Sequence, residues 1–268
     1  MTVQDDTICA CWKLLKGLEL DTRNCPAQYN AVLMYHRFGF PKPFSLVAGQ
    51  YVAPSLLVSQ INYLKSNSWE PVDLRDMIAD RTSVPDNSRY SITFDDGYLS
   101  VYDKAFPILA AKGITGTVYV VADQIGGINQ WDHSAGDYLE HMMSAEQIRE
   151  MHKAGFEIGS HTLSHPHLTQ LSDDKLRAEV LDSKKSLEDV IGEEVTSFSY
   201  PYGDYDDRVK KVVIEAGYTN AVSTRLGIVL PTDGAYDIPR INVRWNTFGF
   251  ALMQKIRRAV RRSLESGK

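Results

Sequence analysis

Cysteine is scarce in this chain of 268 residues: there are three, Cys9, Cys11 and Cys25, all in its first tenth. An odd number without framework spacing excludes an obligatory disulfide scaffold, and two thiols flanking Ala10 with no second ligand pair nearby make a poor metal site. Long apolar runs are missing too, so no segment is expected to cross a bilayer as a helix. A secretory leader would carry Lys or Arg near the start, where Asp5 and Asp6 stand, and no small-residue cleavage site follows an apolar stretch. The expected location is therefore cytoplasmic. Internal repeats, low-complexity tracts and any Pro/Gly/Ser-rich linker after residue 30 are likewise absent, which argues for one main domain.

What is present is an ordinary globular composition, 43% hydrophobic and 24% charged, which excludes intrinsic disorder. The net charge of −5 comes from 29 basic against 34 acidic residues and is unevenly spread. Residues 255–268 hold Lys255, Arg257, Arg258, Arg261, Arg262 and Lys268 against Glu265 alone, a local +5 that leaves −10 on the rest. A body this acidic is a poor partner for nucleic acid, whose binding runs on neutralised phosphates. The tail is different. Leu252, Ile256, Val260 and Leu264 recur every fourth residue among the arginines, the pattern of a basic amphipathic helix. Two fates are open to such a helix: peripheral contact with an anionic membrane, or docking on the acidic body by its apolar stripe.

From Ala31 onward, short β-branched or aromatic runs alternate with amphipathic segments, which predicts β/α units and a mainly parallel sheet. The expected strands are Ala31–Tyr35, Tyr90–Phe94, Thr115–Val121, Phe156–Gly159, Thr196–Tyr200, Asn220–Ser223 and Asp237–Val243. Seven such strands suggest a barrel. Helices are expected over Leu56–Leu64, over Tyr102–Ala111 and over Val209–Ala216, and Ser144-Ala145-Glu146-Gln147 reads as a capping box opening another through His152. Leu176, Val180, Leu187 and Ile191 share one face of a longer helix that Gly192 can end. Residues 1–28 read as an extension, 29–245 as the domain and 246–268 as a helical appendage.

Chemistry gathers at strand ends. Thr93-Phe94-Asp95-Asp96-Gly97 closes a strand with adjacent carboxylates. Successive strand residues face opposite sides, so the two can do different work, although Asp-Gly after a strand is equally common turn chemistry. After another strand come His161, His165 and His167. His161 and His165 are four apart, a spacing that brings two imidazoles onto one cation if the segment makes a helical turn. No glutamate follows His161, which excludes the zinc-protease helix. Barrel strands bring their C-terminal ends to one face, so aspartates and histidines can meet there. Two imidazoles and one carboxylate leave a divalent metal with open positions, a catalytic rather than structural arrangement, and zinc is the first choice for that donor set. Phe198-Ser199-Tyr200-Pro201-Tyr202-Gly203 ends a further strand. Pro201 fixes the backbone there, and the segment is either a core-to-loop transition or a holder for the Tyr202 amide as an oxyanion donor. His133 and His141 fall in a loop-like insertion and are read as solvated.

In this order and at strand ends, Thr-Phe-Asp-Asp-Gly and His-Thr-x-x-His resemble the motifs of the polysaccharide deacetylase family, carbohydrate esterase family 4, over Ala31 to Val243. The resemblance implies the NodB-homology fold, an α/β architecture of about seven parallel strands in a distorted (β/α) barrel. It implies a hydrolase that removes acetyl groups from N-acetylated sugars or polysaccharides with the help of a divalent metal, most simply zinc. It also implies Asp95 as general base, Asp96, His161 and His165 as metal ligands, and the Tyr202 amide after Pro201 as oxyanion donor. The chain departs from the family in two places. The usual late Leu-x-His acid has no counterpart, since no histidine follows His167. Val32-Leu33-Met34-Tyr35-His36 instead matches the early Tyr-His of the poly-N-acetylglucosamine deacetylase branch, which makes His36 the acid. Ser199 stands where many members carry an arginine that orients the base, and Arg240, in Ile238-Pro239-Arg240-Ile241-Asn242-Val243, is the nearest substitute by pattern.

A glycoside hydrolase also uses two carboxylates, but on opposite sides of a bond and about 5–10 Å apart rather than adjacent in sequence. A deacylase or deformylase of a lipid-linked or nucleotide-linked N-acyl sugar would fit the same motifs, as would an inactive carbohydrate-binding relative. The number of subunits is left open.

Overall fold

Alternation along each strand separates two environments and thereby sets the architecture. The strands are β1 (Asn30–Tyr35), β2 (Arg37–Phe38), β3 (Tyr51–Val52), β4 (Trp69–Pro71), β5 (Ser88–Phe94), β6 (Thr117–Val120), β7 (Glu157–Ser160), β8 (Ser197–Ser199), β9 (Asn220–Leu226) and β10 (Ile238–Asn242). The computed structural model describes residues 28–82, 85–133 and 137–266, so Cys9, Cys11, Cys25 and nearly all of the expected extension 1–28 lie outside the described residues. Strand pairing is parallel in the order β1-β10-β9-β8-β7-β6-β5, and β1 also pairs with β5, closing a barrel of seven strands. These are the seven expected strands, with ends moved by at most three residues. The edge strand β4 and the β2–β3 ribbon are additions. They are too short for period counting, and Pro71 suits β4 to an edge.

One parity faces the helices. Leu33 and Tyr35 of β1, Ile92 and Phe94 of β5, Val118 and Val120 of β6, and Phe198 of β8 join the main core there. The other parity faces the barrel interior, where Val32, Tyr119, Val222 and Ile238 cluster with Leu74, Met77 and Ile78. The last three belong to a short helix, Leu74–Ala79, that no sequence period announced. It lies across the ends where strands begin, tied by Asp80 to Arg89 of β5 and by Arg75 to Glu157 of β7. The same parity also carries small polar side chains, Ser91, Thr93, Ser197 and Ser199, with Gly159 of β7 against the Tyr119 ring.

We label the longer helices α1 (Pro54–Ser66), α2 (Ala145–Lys153), α3 (Asp173–Ile191), α4 (Asp207–Glu215) and α5 (Gly249–Ser266). The capping box of α2 forms as expected, Ser144 Oγ accepting from Gln147 N–H while Gln147 accepts from Ser144 N–H. Gly192 ends α3 in the left-handed conformation, also as expected. The single helix expected over Tyr102–Ala111 is instead a π turn, Val101–Ala105, running into Phe106–Ala110. Pro107 has no N–H to donate to the preceding turn, which widens so that Phe106 N–H reaches Val101 five residues back. In α5 the apolar stripe docks on the body, with Leu252, Ile256 and Ala259 buried against α1, β9 and β10. Val260 and Leu264 are only half-buried, because 3.6 residues per turn carries every-fourth positions off the docked face.

A Cβ added at Gly159 would lie 2.5 Å from Tyr119 Cδ1 and 3.0 Å from the Ser197 carbonyl. Gly159→Ala is therefore expected to destabilise the fold by about 1–3 kcal/mol through forced displacement of the ring. Chemical denaturation checks this, and an unchanged midpoint and slope would refute the steric account of the interior.

Candidate active site

Parity carries past the strand ends. Ser91 and Thr93 of β5 share a face with Asp95, and Val32 of β1 shares one with His36. Tyr35 pairs with Phe94, and Asp95 N–H donates to the Tyr35 carbonyl at 2.9 Å, which sets His36 beside Asp95. From β10, Arg240 grips Asp95 with both arms of its fork. Nη1 donates to Oδ1 at 2.6 Å and Nη2 to Oδ2 at 2.7 Å. The remaining N–H groups donate to Thr93 Oγ1 and Ser199 Oγ, each at 3.1 Å, and to the Ser223 carbonyl at 2.9 Å. All five donors of the buried guanidinium are thus used. Ser199 leaves room for a guanidinium arriving from another strand, so its departure from the family motif and the presence of Arg240 are one spatial fact. The β9–β10 register slips between Ile238 and Arg240, a bulge beside the residue it aims.

Asp96 breaks the parity. Its φ of +76°, followed by +85° at Gly97, turns the carboxylate away from Arg240 and toward the histidines. Oδ1 lies 3.3 Å from His161 Nε2 and 3.5 Å from His165 Nε2. One ligand atom from each of the three buried residues falls within 4.8 Å of the others. His161 Nδ1 lies 2.7 Å from the Ser199 carbonyl and so carries the proton there, while His165 Nδ1 is 3.1 Å from the Tyr202 hydroxyl. Oriented from behind in this way, both rings present Nε2 to the same point. The donor set fits a divalent metal: one carboxylate, two imidazoles, all buried and convergent.

Electrostatics follow the same division. Burial alone would raise the Asp95 pKa, but Arg240 and then His161 hold it below its ordinary value. Burial also opposes ionisation of Asp96, and hydrogen bonds from His161 and His165 outweigh it, keeping that group well below the carboxylate range. Burial lowers His36 and His165. In His161 the same effect is overcome by Asp96 and Asp95, and its pKa rises.

The histidines converge without the helical turn expected from their spacing. Residues 161–167 form a loop in which Thr162 (φ +70°) and His165 (φ +65°) are left-handed. Pro166 disfavours helical backbone at His165. The loop is braced by Thr162 Oγ1, which accepts His165 N–H at 3.0 Å, and by Glu179 of α3, which accepts Leu163 and Ser164 N–H at 3.0 and 2.9 Å. Six non-glycine residues among those described have positive φ, and Asp96, Thr162, His165 and Tyr202 are four of them. Strain of about 1–3 kcal/mol each is thereby concentrated at one site.

Pro201 is buried and opens the turn that carries Tyr202. Gly203 and Asp204 N–H donate to the Tyr200 and Pro201 carbonyls, and Tyr202 N–H takes part in neither bond. The Tyr202 ring is half-exposed and stacks on His167 at 4.1 Å between centroids. Burial, with Asp132 and Asp96 behind it, pushes its phenol up to about 12, so it stays neutral. The sequence pointed to the Tyr202 amide and missed this side chain. It also missed Trp131, whose ring stacks on His165 at 4.6 Å, and Asp132, ion-paired with buried Arg37. Neither lies in a periodic segment. His167 is half-exposed beside Asp204 and stands outside the convergent set, and His141 is exposed.

Residues 83–221 match the family described as polysaccharide deacetylase. The chain is 27% identical over 214 residues to YxkH of Bacillus subtilis, a stretch covering 79% of this chain and 70% of that one. It is also 27% identical over 208 residues to the poly-beta-1,6-N-acetyl-D-glucosamine N-deacetylase of Staphylococcus aureus, covering 74% of this chain and 69% of the other. In fold it is similar to the Streptococcus pyogenes deacetylase PplD solved with acetate, with a TM-score of 0.73 at 24% identity over 85% of this chain and 98% of that one.

Removing one partner of a buried ion pair strands the other. Arg240→Met is expected to cost about 3–5 kcal/mol at neutral pH, and Arg240→Lys to recover little of it because an ammonium cannot span both carboxylate oxygens. Urea titration checks both variants. A loss below about 1 kcal/mol for Arg240→Met would show that Asp95 does not depend on the fork.

Proposed function

The chain belongs to the polysaccharide deacetylase family, and we propose that it hydrolyses the N-acetyl groups of N-acetylglucosamine units in a sugar polymer, with zinc held by Asp96, His161 and His165. The observation that carries this reading is the divergence of two adjacent aspartates, Asp95 into the fork of Arg240 and Asp96 onto two imidazoles. One carboxylate is reserved for protons, the other for a cation. Three nitrogen and oxygen ligands with open positions suit zinc in a hydrolytic role. Such an ion supplies Lewis acidity, which lets water lose a proton near neutral pH.

Asp95 is the acceptor for that proton. Arg240 keeps it ionised and fixes its plane, leaving lone pairs outside the fork for water. As water attacks the acetyl carbon, the carbonyl oxygen gains negative charge, and the Tyr202 N–H is the backbone donor for it. Collapse breaks the C–N bond, and His36 delivers a proton to the departing nitrogen. Burial lowers the His36 pKa, which makes its imidazolium a strong donor. The products are acetate and a free amine. The polymer named for the Staphylococcus aureus relative supports a β-linked glycan as the substrate class.

Zinc-loaded protein is expected to release acetate from β-1,6-linked and β-1,4-linked N-acetylglucosamine oligomers, to stop on chelation and to resume when zinc is returned. Asp95→Asn and His36→Ala are each expected to lower kcat about 10²–10⁴-fold with zinc content unchanged. Acetate release that survives full chelation, or is undiminished in Asp95→Asn, would remove the reading.

A further inference from the structure

Arg37 directly follows His36 and is 1% exposed. Its Nη2 donates to Asp132 Oδ2 and, at 2.5 Å, to the Tyr98 hydroxyl, while Nη1 donates to the Tyr51 hydroxyl at 3.3 Å. The cation also lies 4.4 Å from the centroid of the Tyr98 ring. Asp132 is held from the other side, its Oδ2 accepting from Asn129 Nδ2 at 2.6 Å and from the Tyr98 hydroxyl at 3.3 Å. The residue before Asp132 is Trp131, whose ring lies on His165 with an interplanar angle of 27°. Tyr202 meets the same imidazole edge-on at 4.6 Å. Two sequence-adjacent pairs, His36-Arg37 and Trp131-Asp132, are thus joined by one ion pair, and each carries a group that borders the active site.

A buried ion pair adds little net stability over a well-packed apolar pair, so its use here needs another reason. Arginine cannot shed its charge, and its planar fork is directional. An imidazole ligand has to be held in one ring orientation for its Nε2 to serve a metal, and groups outside the ligand set do that holding. We propose that the Arg37–Asp132 pair is a positioning clamp that seats Trp131 against His165, keeping His165 Nε2 aimed at Asp96, and pins the strand end that bears His36. Neither Arg37 nor Asp132 touches the reacting atoms; both act through their neighbours. The inference rests on the metal-site reading given under the proposed function.

Zinc affinity, measured by competition with a chromophoric chelator and without substrate, separates the clamp from the chemistry. Asp132→Asn, Arg37→Lys and Trp131→Ala are each expected to weaken zinc binding about 10–100-fold and to lower kcat with KM little changed. Trp131→Phe keeps a stacking ring and is expected to keep the parent affinity. If the Asp132 or Arg37 variants fail to fold, the two Trp131 variants still decide. Parent-like zinc affinity and kcat in every folded variant would overturn the clamp alone. A parent protein that takes up no zinc would overturn the metal site, and the clamp with it.

Discussion

The bidentate contact between Arg240 and Asp95 is the constraint around which the upper barrel is arranged. A guanidinium inside a barrel needs five acceptors and space, and the interior supplies both by being small and polar at that level. Thr93, Ser199 and the Ser223 carbonyl complete its hydrogen bonds. Gly159 lets the Tyr119 ring lie across the interior, 5.7 Å below the same cation. Larger side chains at these positions would fill the barrel as an ordinary core and leave the carboxylate without its partner. Val32, Val222 and Ile238 of the same interior have no such demand on them and pack as an apolar cluster with Leu74, Met77 and Ile78.

That pair also explains why Asp96 behaves differently from its neighbour. With Arg240 engaged by Asp95, the second carboxylate turns through a left-handed residue toward His161 and His165. Left-handed backbone at Thr162, His165 and Tyr202 completes the convergence. The strain is held by rigid surroundings, including Glu179 on α3 and the stacked rings of Trp131, Tyr202 and His167. A precise cluster therefore rests on loops that are braced from several sides rather than on one regular element.

Much of the frame was legible from the sequence because short apolar, aromatic or β-branched runs alternate with amphipathic segments, most plainly in Val118-Tyr119-Val120 of β6 and least so in Ser197-Phe198-Ser199 of β8. The aspartates and histidines were legible as residue types at strand ends, yet their conformation was not: spacing of four suggested a helical turn where Pro166 enforces a loop. Arg240 emerged only from the pattern of a related family, since nothing in Ile-Pro-Arg-Ile says that the arginine points inward. Arg37 and Asp132 were invisible for a related reason. A charged residue reads as surface until the partner that neutralises it is known, and these partners lie 95 positions apart. For α5, the stripe was legible but not how much of it packs on the body, where Leu252 and Ile256 are buried and Val260 and Leu264 only in part.

The short helix Leu74–Ala79 has a consequence for traffic. By filling the strand-start end with Leu74, Met77 and Ile78, it gives the barrel a floor. With that end covered and the interior packed with side chains, the carboxylate gripped by Arg240 faces outward only where the strands finish. Substrate and products would then use the same end of the barrel.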